Sequence, residues 1–312
     1  MIESFSLKVI ENVIIFHEFL KKTTYNVLLI SLMLMNYASS SCVLVALELY
    51  IFIKTRAFPN NKALFSSKNI KEITNLNVCS KRIERASVIK KTLPYLLATN
   101  NKILVNDIKK CSDKLSDVTS KIDAPLILMP LHILSDTAAM LTIAVSSTKH
   151  NNVIIISDDV RGRMSTSKVY ETLIKNKITL IPIENKNLNL VNVLNKVRSG
   201  KESLTIFPDI LPEYTSRQIE NKKQRYIKEK IFGKEAFIHE GPVAISKMTS
   251  ATIVPFYVYE EKGRIEIKIL PKIQSADIQD ELAGVIESSL IEKPEQWMLW
   301  HYISFFYYRV SV

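Results

Sequence analysis

The chain has 312 residues, enough for one large α/β domain or two small ones, and a net charge of +11. Nearly half of it is apolar, at 47%, which excludes a disordered chain and an acidic tail protein, and its three cysteines, Cys42, Cys79 and Cys111, are too few and too far apart for a disulfide framework or a zinc knuckle. The six glycines are too scattered to build a GxGxxG turn or a Walker loop, which argues against nucleotide binding by those devices.

The first element in chain order is the uncharged run VLLISLMLMNYASSSCVLVAL at residues 27–47. At about 1.5 Å per residue it is long enough to cross a hydrocarbon core of roughly 30 Å. Its polar middle, Asn36 to Ser41, leaves open two shorter apolar pieces that dip into one leaflet. Lys54, Arg56, Lys62, Lys68 and Lys71 follow with no acidic residue among them, whereas residues 1–25 balance three Lys against three Glu. By the positive-inside rule this keeps the C-terminal part cytoplasmic, and the basic collar is drawn to anionic headgroups. Residues 1–53 are therefore set apart as a membrane-anchoring segment, and residues 54–312 as the domain it carries.

Residues 69–121 place Ile83, Ala86, Ile89, Leu93, Leu96 and Leu97 at helical spacing and predict two or three helices. Beyond Pro125 come short runs rich in Val and Ile, at 126–131, 153–157, 178–183, 204–207, 252–259 and 264–270, which predict strands. Helical stretches at 137–148, 167–177 and 188–198 separate the first four. That alternation predicts an α/β fold with a mostly parallel sheet covered by helices. In such a sheet ligands gather beyond the carboxyl ends of the strands, so the residues just after each apolar run are the candidates for chemistry.

After the first strand, MPLHILSDTAAM places His132 and Asp136 four residues apart. On a helical turn that spacing puts both on one face, where the carboxylate can orient the imidazole and leave its other nitrogen to accept a proton. Asp136 is equally suited to capping the helix that follows. After the second strand, Arg161 and Arg163 flank Gly162; they are placed either to bind a phosphate through paired N–H donors or to balance Asp158 and Asp159 in a solvated turn. After the fourth, Asp209 and Glu213 follow Pro208, placed either to hold an acceptor or to cap a loop. His17, His150, His239 and His301 share no metal-ligand spacing with Cys, Asp or Glu, and no metal or nucleophilic Ser or Cys is implied. Residues 222–234, KKQRYIKEKIFGK, read first as a solvated helix face and second as a dock for an acidic carrier protein. No recognition motif points to nucleic acid. An aromatic helix is predicted from Trp297 to Tyr308.

Four blocks in order, PLHILSD at 130–136, IFPD at 206–209, IFGKEAFIHEGPVAISKMTSATIVPFYV at 231–258 and EKPEQWMLWHY at 292–302, resemble the lipid A biosynthesis (lauroyl/myristoyl) acyltransferase family of the lysophospholipid acyltransferase-like superfamily. The resemblance implies a bacterial inner-membrane protein with an N-terminal membrane helix and an αβα sandwich on the cytoplasmic side. It implies transfer of a fatty acyl chain from acyl carrier protein or a coenzyme A thioester, as co-substrate with no other cofactor, to an amphiphilic acceptor. It also implies that His132 is the base, Asp136 its orienting carboxylate, and Arg161 or Arg163 a balance for oxyanion or phosphate. Two positions depart from the family: its acid stands five residues after His, where this chain has Thr137, and its Arg after the second strand falls near Ser157 and Asp158. A shifted but active site is the reading taken, and a catalytically silent protein of the membrane surface, binding lipid or a partner, is the alternative.

Overall fold

A computed structural model describes residues 61–98, 101–146, 152–157, 178–182, 190–213, 225–297, 299–302 and 304–307, with only the backbone described for 95, 98, 152–157, 178–182 and 190. The apolar run at 27–47, the boundary at residue 53, the predicted helix at 167–177, and both Arg161 and Arg163 lie outside the described residues. Among the described residues, no helix is long and apolar enough to cross a membrane.

Among the described residues, the first elements are three helices, α1 (Asn61–Thr74), α2 (Ser80–Ala98) and α3 (Lys102–Thr119). The start of α3 follows from its sequence, because the Asn101 side chain accepts from the N–H groups of Ile103 and Leu104 and satisfies donors that the first turn leaves orphaned. Leu104, Ile108, Cys111 and Leu115, spaced four, three and four residues apart, form its buried stripe. Then come β1 (Leu126–Pro130), α4 (Asp136–Val145), β2 (Asn152–Ser157), β3 (Ile178–Pro182), α5 (Leu190–Arg198) and β4 (Glu202–Thr205). The chain continues through β5 (Tyr226–Ile231), β6 (Lys234–His239), α6 (Gly241–Thr249), β7 (Thr252–Glu261), β8 (Arg264–Ile269) and α7 (Ile278–Glu292).

Among the described residues, six strands form one sheet in the order β3-β2-β4-β1-β7-β8, parallel except for the β7–β8 hairpin. This is the mixed α/β fold with a mostly parallel sheet that the alternation predicts. All five residues of β1 are buried, as expected for a strand enclosed on both faces. Its Leu126 and Leu128 enter one apolar cluster with Leu93 and Leu96 of α2, Ile108 and Leu115 of α3, and Leu141 of α4. Ile127 and Met129 enter a second with Val197 of α5, Val243 of α6 and Leu282 and Ile286 of α7. Each fully buried Leu or Ile contributes about 1.5–3 kcal/mol relative to exposure, so both faces help fix where the ends of β1 and β4 lie.

Two elements differ from their prediction. Residues 226–239 are a two-stranded hairpin, not a helix face. Ile231, Ala236 and Ile238 are buried at the strand period, and Phe232 and Gly233 both take positive φ, at +52° and +73°, as a two-residue type I′ turn requires. Among the described residues from Trp297 to Tyr307 there is no α-helix either: one short 3-10 turn, Pro294–Gln296, precedes Trp297, another spans Phe305–Tyr307, and Trp297 bridges to Ile133 as an isolated antiparallel pair. Trp297, Trp300, Phe305 and Phe306 are all fully buried together, and that set does not follow one helical stripe.

Candidate active site

The site lies where β1 and β4 end side by side. Leu128 pairs with Thr205 in the parallel register, and Ile206 N–H continues the ladder to the Leu128 carbonyl at 3.1 Å. His132 and Asp209 each stand four residues beyond that pair, so equal chain lengths carry them past the same edge of the sheet. The contact follows: His132 Nδ1 lies 2.8 Å from Asp209 Oδ1, and the His132 main-chain N–H donates to Asp209 Oδ2 at 2.9 Å. A carboxylate on Nδ1 leaves Nε2 as the nitrogen that can exchange a proton with a substrate.

Asp136, the expected partner, stands at the start of α4. Residues 131–135 are not helical, and the helix begins only at Asp136, so the four-residue spacing does not bring its carboxylate onto a common helical face with His132. Ser135 is the N-cap, its side chain accepting from Ala138 N–H at 3.3 Å, and Asp136 is the first residue of α4, where a carboxylate favours the positive end of the helix. Asp136 Oδ1 pairs with Lys90 Nζ of α2 at 3.4 Å, both side chains being about a quarter exposed. The carboxylate that meets the ring nitrogen Nδ1 is that of Asp209, while the charge of Asp136 also raises the pKa of His132. Asp209 in turn was expected at the substrate; it has no exposed surface and lies against the imidazole.

The ring is held from several directions. Phe207 lies 4.4 Å from it between ring centroids, and Trp297 donates its indole N–H to Asp209 Oδ2 at 2.8 Å. Leu131 N–H donates to the Phe256 carbonyl and Leu134 N–H to that of Gln296, each at 2.9 Å. Leu134 takes a positive φ of 54°, uncommon for a branched side chain. That turn carries the chain across the end of the sheet, from Ile133 in one apolar cluster to Leu134 in the other. Burial opposes a charge on His132, but Asp209 and Asp136 outweigh burial and Lys90 together, and its pKa is raised above the ordinary imidazole value.

Among the other candidates, Glu213 is buried and accepts from the Ser304 hydroxyl. Burial pushes the Cys111 thiol up to about 12, which removes it as a nucleophile near neutral pH. Among the described residues, no group of three or more His, Cys, Asp or Glu could hold a metal ion. Sequence reasoning missed Trp297 as a partner of the site; its position beyond the last strand carries no spacing signal that connects it to Asp209. No family model matches the chain, and no curated protein matches it.

Proposed function

We propose that the protein is a membrane-bound acyltransferase of the lipid A biosynthesis type, with an αβα sandwich carried on the cytoplasmic side of a bacterial inner membrane by the N-terminal apolar segment. The observation that carries this reading is the His132–Asp209 pair at the ends of two adjacent parallel strands. The family's acid is absent from position 137; the Asp209 carboxylate, beyond the end of β4, meets Nδ1 and supports the reading in its place.

In the reaction, Nε2 of His132 takes the proton of an acceptor hydroxyl or amine as that group attacks the thioester carbonyl. A new C–O or C–N bond forms and the carbonyl oxygen becomes an oxyanion, which Arg161 or Arg163 would balance. The oxyanion then collapses, the C–S bond breaks, and the thiolate of acyl carrier protein or coenzyme A takes the proton back from the imidazolium. Asp209 stabilises that imidazolium and holds its orientation. Base catalysis of this kind contributes about 10² to 10⁴ in rate, and alignment of the two reactants contributes more. The inner-membrane lipids supply or solvate the amphiphilic acceptor, so the acyl chain need not cross much water.

The test gives the purified full-length protein acyl carrier protein loaded with a labelled fatty acid, together with total membrane lipid. Wild type transfers label to lipid and His132→Ala does not. Equal transfer by both, or by neither, removes the proposal and leaves a catalytically silent lipid- or partner-binding protein.

A further inference from the structure

The Asp209 carboxylate receives two main contacts from His132 itself and a further donor from a distant part of the chain, the indole N–H of Trp297. Oδ2 takes both N–H groups, from the His132 main chain and from the indole, while Oδ1 faces the ring. A buried indole N–H needs an acceptor of some kind. Trp300, equally buried beside it, finds one in the main-chain carbonyl of Pro294 at 2.8 Å. Trp297 instead spends its N–H on the carboxylate that holds the imidazole. The ring packing of Trp297 against Trp300, Phe305 and Phe306 requires only an aromatic surface, so packing alone does not call for an N–H at this point.

The same short segment also holds the loop that carries His132. Trp297 bridges to Ile133, and the Gln296 carbonyl accepts from Leu134. The Gln296 side chain is in turn bonded at both ends to the main chain of Glu260, Oε1 accepting from its N–H and Nε2 donating to its carbonyl, each at 2.8 Å. The segment is thus anchored to β7 on one side and reaches the His132 loop and its carboxylate on the other.

We infer that Trp297 is a positioning residue for the His132–Asp209 pair: its indole N–H fixes one carboxylate oxygen so that the other stays on Nδ1 of the ring. The consequence for turnover rests on the acyltransferase reading, but the positioning itself does not. The groups acting on the imidazole are Asp209 beyond β4, Asp136 of α4 and Lys90 of α2, with the Phe207 ring beside it. Removal of the indole N–H leaves the Asp209 charge less shared, which favours the imidazolium, and leaves Oδ2 held by the His132 main-chain N–H alone, which orients the ring less firmly for catalysis.

The experiment uses full-length protein in detergent or nanodiscs, labelled with ¹⁵N at the histidine rings and the two indoles, and follows both by NMR as pH is varied. In wild type the Trp297 indole signal moves with the same midpoint as the His132 ring, because protonation of the ring weakens the indole's hold on the shared carboxylate; the Trp300 signal stays flat. In Trp297→Phe the His132 midpoint moves to higher pH, and kcat in the acyl-transfer assay falls roughly ten- to hundredfold with little change in KM, the loss expected for one hydrogen bond to a charged group. A Trp297 signal that stays flat through the His132 titration, or a His132 midpoint unmoved or lowered in Trp297→Phe, overturns the inference. Should the variant fail to fold, the wild-type titration decides alone, with the two indoles assigned from Trp300→Phe. Coupled signals in a protein that transfers no acyl group would sustain the positioning role and remove the acyltransferase proposal; transfer with uncoupled signals would do the reverse.

Discussion

Two carboxylates and an ammonium act on the His132 ring, and their balance has a sign that can be measured. Its raised pKa means that the neutral imidazole, the form able to take a proton, gains population only above the ordinary imidazole range. The acid limb of kcat/KM should therefore have its midpoint above that range. Asp136→Asn removes a raising charge and should move the midpoint down, and Lys90→Met removes a lowering one and should move it up, both read from pH–rate profiles. The same shift contributes to stability. A folded-state pKa above the unfolded one means the folded form binds the proton more tightly, so the contribution is complete below the ordinary value and disappears as pH rises through the raised one. Thermal unfolding of wild type against His132→Gln should show the difference shrinking across that window, and a constant difference would contradict the assignment.

At the level of elements, the strands and most of the helices were legible because burial on both faces leaves continuous Val, Ile and Leu runs, as in β1 and β7. The β5–β6 hairpin was hidden by its lysines, although Phe232-Gly233 marks its turn as Lys262-Gly263 marks that of β7–β8. At the site, both His132 and Asp209 stood out as residues after strand ends, but reasoning from spacing finds local partners such as Asp136. A contact between residues 77 apart needs the β1–β4 register, which no single sequence states. The Gln296 clip is one element-level device open to test: Gln296→Ala leaves a buried N–H and C=O of Glu260 unpaired, each worth about 1–3 kcal/mol. The denaturant midpoint should fall with the slope unchanged. A second is His239 at the end of β6, whose pKa burial lowers to about 4. The unfolded chain takes up that proton near the ordinary value, so stability should drop as pH falls from there to about 4. His239→Gln should remove that part of the dependence, as followed by circular dichroism.

For the whole molecule, the sheet brings together groups from distant parts of the chain: His132 after β1, Asp209 after β4, Lys90 from α2 and Trp297 near the C-terminus. This explains why local motifs reveal the site only in part. The proposed membrane attachment makes a separate prediction: full-length protein should remain with membranes after washes in high salt and in alkaline carbonate. Release by salt alone would indicate electrostatic attachment through the basic collar in place of an inserted segment. The proposed chemistry needs Asp209, and not Asp136, as the carboxylate that makes His132 a base. It is tested most directly by the initial rate of labelled acyl transfer to membrane lipid in Asp209→Asn beside Asp136→Asn. The expected loss is about 10² to 10⁴ for the first and less than about tenfold for the second; the opposite order, or equal rates in the two, would contradict the role of Asp209.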